Sequence, residues 1–293
     1  MALPEPAAPT LADIDLIATD LDGTLLKREG RSVSAEAFGQ IRELVGRGCK
    51  FFAASGRQYA SLRRLFAPVA DEIGYVCENG ALAIYRGEVV HKHALPHADA
   101  MRIAHLVIDH PDCDVILSGE LTCYAMASSP QWFVNDLVEN MRNDVTVLER
   151  PEDVTEPVIK IAFRVPGGKC PEIEAYMQER VGDGYRVVTS GASWIDLISD
   201  GVDKGRALVE VGRHLGIDPA RMAAFGDEMN DVEMLGVVGH PYVMDTGNPA
   251  LLARYSRALT CSYVEDEFAR LLAGDGAPRA HAGGCETGEG ALR

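Results

Sequence analysis

Asp20 and Asp22 stand two residues apart in the run Asp20-Leu21-Asp22-Gly23-Thr24-Leu25. Further along the chain come Ser55-Gly56-Arg57, Glu78-Asn79-Gly80, Val202-Asp203-Lys204-Gly205 and Gly226-Asp227-Glu228-Met229-Asn230-Asp231. Asp20, Asp22, Asp227, Ser55, Asn79 and Lys204 together offer three carboxylates, a hydroxyl, an amide and an ammonium. That set makes a poor core and suits a hard divalent cation with a phosphate beside it. Carboxylate oxygens fit Mg2+, which keeps waters and substrate oxygens in its octahedron. Phosphoryl transfer asks a protein for an in-line nucleophile and for charge neutralisation of the equatorial oxygens. A carboxylate can be that nucleophile, forming an aspartyl-phosphate. Cations must first offset its repulsion by a dianionic phosphate; the metal and Lys204 would do so, with Ser55 donating a hydrogen bond. Asp22, two residues on in an extended segment, points the same way as Asp20. It would protonate the leaving oxygen and then activate water.

Each piece alone has a plainer reading. Asp-x-Asp-Gly occurs in ordinary acidic turns, Ser55 could cap the helix that follows it, and a lone Lys204 or Gly226-Asp227 would read as a solvated residue and a loop. Order and placement make the set specific, so the elements that deliver these residues matter. Ile14 to Thr19 is a short, mostly apolar run ending at Asp20, as a buried parallel strand would. Apolar residues at Ala37, Phe38, Ile41, Leu44 and Val45 predict a helix over Ser34–Arg47, with Ser34 its N-cap and Gly48 its stop. Lys50–Ala54 and Gly74–Cys77 read as further strands, closing on Ser55 and Glu78, with a helix from about Gln58 to Phe66 between them. Ala81–Tyr85 and Glu88–His91 read as a hairpin.

Residues 92–190 differ in texture. Helical segments (Asp99–Asp109, Pro130–Asn140, Pro171–Val181) alternate with strand-like pieces (Cys113–Leu117, Val158–Val165, Arg186–Thr189), enough for an α+β unit of its own. The strand–helix alternation then resumes with Trp194–Ile198, Asp203–Leu215, Met222–Phe225, a helix from about Asn230 to Leu235, Val237–Met244 and Tyr263–Leu272. The expected organisation is an α/β domain with a parallel sheet, built from 14–91 and 191–273, with 92–190 inserted; 1–13 reads as flexible and 274–293 as a disordered tail. In such a sheet ligands bind beyond the carboxyl ends of the strands, where all these residues fall.

The chain has 293 residues, 47% of them hydrophobic, and a net charge of −16. That acidity argues against nucleic acid and anionic membranes as partners. It also means that a phosphate site needs local cations or a metal. Seven cysteines, an odd number without a C-x-x-C pair, read as free thiols in a reducing compartment. No basic-then-apolar leader opens the chain and no apolar run reaches membrane-spanning length, so the expected location is cytoplasmic.

Asp20-Leu21-Asp22-Gly23-Thr24-Leu25, Ala54-Ser55-Gly56-Arg57, Val202-Asp203-Lys204-Gly205 and Gly226-Asp227-Glu228-Met229-Asn230-Asp231 resemble the four motifs of the haloacid dehalogenase (HAD) superfamily. Cys77-Glu78-Asn79-Gly80-Ala81 and the insertion's location resemble the Cof-type branch, which carries a type IIB α/β cap. The resemblance covers roughly Ile14 to Leu272. It implies a Rossmann-like core with a cap, and a Mg2+-dependent phosphatase of small phosphorylated metabolites such as sugar phosphates. Asp20 would be the nucleophile and Asp22 the acid/base, with its backbone carbonyl on Mg2+. Asp20 and Asp227 would bind the metal directly, and Asp231 would support that site from behind. Ser55 and Lys204 would hold the phosphoryl group, with Gly56 shaping the turn and Asn230 supporting the metal or touching phosphate. Arg57 would face a substrate anion or form a surface salt bridge. His91, His93 and His97 cluster near the cap entrance, and the Trp132-Phe133 and Trp194-Ile195 pairs read as core. Two other readings fit the same residues: a phosphomutase, which would return the phosphoryl group to the product, and a non-catalytic phosphometabolite binder.

Overall fold

The protein is described here from a computed structural model covering residues 8–26, 32–190 and 193–274. The first part of the chain runs β1 (Leu16–Thr19), α1 (Ala35–Gly46), β2 (Lys50–Ala54), α2 (Tyr59–Leu65), β3 (Gly74–Cys77), β4 (Leu82–Tyr85) and β5 (Glu88–Lys92). Ser34 caps α1 by accepting from the Ala37 amide, and Gly48 follows the helix at φ +92°, a conformation glycine adopts at no steric cost. The insertion holds α3 (His97–Ile108), β6 (Asp114–Ser118), β7 (Cys123–Met126), α4 (Gln131–Glu139), β8 (Val145–Leu148), β9 (Lys160–Arg164), α5 (Cys170–Val181), β10 (Tyr185–Ser190) and β11 (Trp194–Ser199). The chain then returns through α6 (Lys204–Leu215), β12 (Met222–Gly226), α7 (Val232–Val237), β13 (His240–Met244), α8 (Pro249–Arg254), β14 (Leu259–Cys261) and α9 (Val264–Gly274).

The larger sheet has the order β14-β13-β12-β1-β2-β3-β4-β5. Its first six strands are mutually parallel and the β4–β5 hairpin continues it antiparallel. Successive residues of β1 serve opposite faces: Ile17 packs with α1 and α9, while Leu16 and Ala18 pack with α6 and α7. Both faces are covered, so the strand is apolar throughout rather than alternating. From β1 the chain winds one way through β2 and β3, and later the other way through β12 to β14. The point between β1 and β12 is therefore a topological switch, where loops diverge and leave a crevice.

The smaller sheet has the order β10-β11-β9-β6-β7-β8. One face packs on α3 and α5 through residues such as Ile161, Phe163, Ile195 and Leu197. The opposite face is covered by α4 only in part, where Phe133 and Leu137 meet Ile116 and Ala162.

Two expectations need correction. Trp194–Ile198 does not rejoin the large sheet. It is β11, paired antiparallel with β9 and β10 in the smaller one. A short apolar strand carries no mark of which sheet it will join; only its partners decide that. The return to the large sheet falls after Ser199. Nor is all of 1–13 loose: Leu11–Asp13 forms a 3-10 turn with Leu11 buried in the core, and Arg270 donates to the Pro9 carbonyl. Residues 1–7 and the tail 275–293 lie outside the described residues. Sequence reading also passed over β7, β8, α8 and β14. Cys77, Cys113, Cys123 and Cys261 carry free thiols, and no described helix is long and apolar enough to cross a membrane.

Between β3 and β4 the turn Glu78-Asn79-Gly80 holds three successive positive φ angles, +50°, +55° and +102°. A side chain on Gly80 would meet the Asp203 carbonyl at 2.1 Å. Gly80→Ala is expected to destabilise the protein by more than about 1 kcal/mol, because both conformation and space exclude a Cβ. Thermal or urea denaturation measures this, and unchanged stability would refute it.

Candidate active site

Lys204, the first residue of α6, is buried with its ammonium between two carboxylates. It lies 2.6 Å from Asp20 Oδ1 and 2.7 Å from Asp231 Oδ1. Asp20 follows β1, and its amide donates to the Phe225 carbonyl of β12. Asp231 is fully buried, and its second oxygen accepts from the Asp227 and Glu228 amides at 3.0 and 3.1 Å. Both oxygens of Asp231 are thus engaged in holding Lys204 and shaping the loop after β12. That loop carries Asp227, whose Oδ1 accepts from the Thr24 hydroxyl at 2.8 Å. A Cβ on Gly23 would sit 2.1 Å from Asp227 Oδ2, and Gly23 has φ +91°, so this glycine is required twice over.

Asp20, Asp227 and Asp231 form a buried carboxylate cluster whose oxygens lie within 4.8 Å of one another. One ammonium cannot balance three carboxylates. Burial pushes Asp20 up to about 7 despite Lys204, with Asp231 and Asp227 adding to the rise. Burial likewise raises Asp227 to about 6, with Asp231 and Glu228 adding and the Thr24 hydrogen bond opposing. Burial works against the Lys204 charge too, but Asp20 and Asp231 more than offset it and hold the ammonium above its ordinary value. An all-oxygen, over-negative cluster of this kind fits a hard divalent cation.

Asp22 goes elsewhere. Its carboxylate does not join the cluster. It takes a two-pronged hold from Arg57, with Nη2–Oδ1 at 2.6 Å and Nε–Oδ2 at 3.1 Å. Its side chain is 64% exposed, so the sequence expectation that it lies alongside Asp20 is only half met. Both line one cleft, but Asp20 sits in the floor and Asp22 at the mouth. Ser55 is buried after β2. It does not cap α2, whose cap position is Gln58; its Oγ accepts from the Arg57 amide at 3.3 Å. Asn230 is exposed at the rim, with Nδ2 3.5 Å from Asn79 Oδ1.

The cleft has a volume of about 880 Å3 and lies between the two sheets. Its roof is the partly covered face of the smaller sheet. In-register residues there are Ser118 and Lys160, Ile116 and Ala162, and Ala162 and Asp196, with Trp194 and Ile198 alongside. Trp194, read from sequence as core, is half-buried and lines this cleft. His91, His93 and His97 do not line it. Sequence reading missed Thr24 and Lys160. Thr24 stands inside the acidic run and could have been found there. The Asn248 side chain caps α8 and donates to Glu228, and its backbone N–H donates to the Asp227 carbonyl. It therefore braces the Asp227 loop.

Comparisons with known proteins agree with this geometry. A family model described as haloacid dehalogenase-like hydrolase matches residues 17–266. A 5-amino-6-(5-phospho-D-ribitylamino)uracil phosphatase of Escherichia coli is 27% identical over 241 residues, covering 82% of this chain and 88% of that protein. An HMP-PP phosphatase of Serratia proteamaculans is 28% identical over 257 residues, covering 86% and 91%. The solved structure of a HAD subclass IIB sugar phosphatase superposes with a TM-score of 0.70 at 21% identity, covering 86% and 95%. The chain belongs to the haloacid dehalogenase-like hydrolase family. The family model makes it a hydrolase of that type, and the curated relatives it resembles are phosphatases.

The raised carboxylates make a pH prediction. For Asp20 and Asp227 the folded values lie above 3.8, so their contribution to stability is present below that pH and is lost as pH rises through about 6 to 7. A cation binds in competition with those protons. The rise in Tm on adding Mg2+ is expected to be small near pH 5 and to grow towards about pH 8. Differential scanning calorimetry at fixed ionic strength tests this; a shift independent of pH would show that the carboxylates are already ionised.

Proposed function

We propose that the chain hydrolyses small phosphorylated metabolites through an aspartyl-phosphate on Asp20, with Mg2+ as cofactor. The observation that carries this reading is Lys204 clamped between Asp20 and Asp231, with Asp227 facing the same point. Asp20 and Asp227 would hold the cation through their side chains, and Asp22 through its backbone carbonyl. Asp231 stands behind them because its oxygens are already committed. A bound divalent cation there supplies charge neutralisation for the phosphoryl oxygens.

The remaining chemistry belongs to the chain's own residues. The Asp20 carboxylate oxygen attacks phosphorus, and the bond from phosphorus to the leaving oxygen breaks. Lys204 and the Ser55 hydroxyl hold the transferring group during this step. Asp22 turns from Arg57 and gives the leaving oxygen its proton. As a carboxylate it then takes a proton from water, which attacks phosphorus and frees Asp20 and inorganic phosphate. Asn230, at the rim, would touch the phosphate, and Arg57 would meet a second polar group of the substrate.

The cleft volume admits a leaving group of metabolite size. The relatives' substrates, a ribitylaminouracil phosphate and HMP-PP, support that scale without fixing the identity here.

Asp20→Asn is expected to lower kcat by about a thousandfold or more, the scale seen when a nucleophile is removed. Free phosphate released from a panel of monoesters, assayed with Mg2+, is the measurement. A variant hydrolysing at the wild-type rate would remove Asp20 from this role, and isomerised sugar phosphate in place of free phosphate would make the enzyme a mutase. Asp22→Asn is expected to cost about 100- to 10,000-fold. With an aryl phosphate, whose leaving group needs no acid, it should accumulate phosphorylated protein. Intact-mass spectrometry after rapid quench detects this, and its absence at reduced turnover would mean that Asp22 does not activate the water.

A further inference from the structure

Lys160 is a charged residue on the roof of the cleft, in the middle strand of the smaller sheet, yet its side chain is only 7% exposed. Its ammonium has three partners. One is Glu78 Oε2 at 2.5 Å, from the strained turn after β3. The second is Asp196 Oδ1 at 3.4 Å, from the neighbouring strand β11. The third is the Gly56 carbonyl at 3.1 Å, in the middle of Ser55-Gly56-Arg57. Two partners belong to the large sheet's loops and one to the small sheet, so the contact joins the two layers across the cleft.

The backbone around Gly56 shows what that contact does. The Ser55 carbonyl accepts from the Asn79 amide and the Arg57 carbonyl from the Glu78 amide, each at 3.1 Å. The positive φ angles of Glu78 and Asn79 accompany this double grip. The Gly56 carbonyl between them is held by Lys160. Three successive carbonyls are thus anchored, the outer two by one turn and the middle one from the other sheet. In a trans peptide the C=O and N–H point in opposite directions, and there is no cis peptide among the described residues. Fixing the Gly56 oxygen therefore fixes the Arg57 N–H, which points at Ser55 Oγ.

We propose that Lys160 is a positioning residue for the phosphate loop. By holding the Gly56 carbonyl it sets the Gly56–Arg57 peptide so that the Arg57 N–H and the Ser55 hydroxyl together face the transferring phosphoryl group. Because Lys160 comes from the cap, the loop is complete only while the cap is seated on it. Lys160 itself touches no substrate in this scheme: its ammonium is turned to the Glu78 and Asp196 carboxylates and the Gly56 carbonyl. The proposal rests on the phosphatase reading of the same site.

The test uses the full chain with Mg2+ and inorganic phosphate as the probe, titrated by calorimetry, beside kcat and KM on an aryl phosphate. Lys160→Met is expected to weaken phosphate binding and raise KM by about tenfold or more, the weight of one charge-assisted hydrogen bond. That variant leaves Glu78 buried without its ion partner and can fail to fold. The double variant Lys160→Met, Glu78→Met replaces the closest pair by apolar groups of similar reach, keeps the Glu78 backbone and leaves only Asp196, at 3.4 Å, without its cation, so it separates much of the stability loss from positioning. It should show a Tm above that of Lys160→Met and the same loss of phosphate affinity. A folded double variant that binds phosphate as tightly as wild type overturns the proposal, as does a lowered Tm with unchanged affinity in Lys160→Met. Wild-type protein that releases no phosphate from any monoester and binds none would instead sink the phosphatase reading, and the proposal with it.

Discussion

The Lys204 ammonium is the constraint around which the rest of this protein is arranged. It is buried at the start of α6 with Asp20 on one side and Asp231 on the other. A buried ammonium is tolerable only with partners, and buried carboxylates only with counter-charge. The three residues come from widely separated stretches of sequence, so their meeting requires β1 and β12 to be neighbours and α6 to begin beside them. The sheet order β12-β1-β2 does this. The charge does not close, however, because Asp227 adds a third carboxylate. The surplus suits the site to a cation and, in the proposed function, through it to a phosphate. On that reading a chain with a net charge of −16 would bind an anion by concentrating negative charge where a metal would sit.

Around this centre the cleft has a floor built by the larger sheet's loops and a roof built by the smaller sheet. Gly23, Thr24, Asp231 and Asn248 fix Asp227 from four directions through sterics and hydrogen bonds. The roof is the face of the smaller sheet that α4 leaves open, where apolar Ile116, Ala162 and Trp194 adjoin polar Ser118, Asp196 and Lys160. In the proposed function the floor would recognise what every phosphoryl transfer shares, and the roof would meet the part of a substrate that varies. Lys160 is the point at which the two communicate, since its ammonium lies against the loop bearing Ser55.

Much of this was legible in the residues. Asp20, Ser55, Lys204 and Asp227 each follow a short apolar run or open an amphipathic one, and periods of two and 3.6 mark those runs. The cap at Ser34 and the stop at Gly48 follow from local backbone chemistry alone. The strands β2 and β3 stand where the sequence placed them, because a buried parallel strand is apolar at every position and punctuated at both ends.

What the sequence could not decide is partnership. Trp194–Ile198 has the same apolar texture as a core strand, and only pairing with β9 and β10 puts it in the cap sheet. Asp22 lies two residues from Asp20, yet Arg57, 35 residues on, draws its carboxylate to the mouth of the cleft. Lys160 looks like a stray charge in an apolar strand until Glu78 and Gly56 are brought to it from the other sheet. Residue types and their spacing determine which chemistry is available and which elements deliver it, because those depend on local backbone preference and hydrophobic period. Which carboxylate is buried, which is held aside and which ammonium binds what are set by packing across distant segments, and those the tertiary structure alone decides.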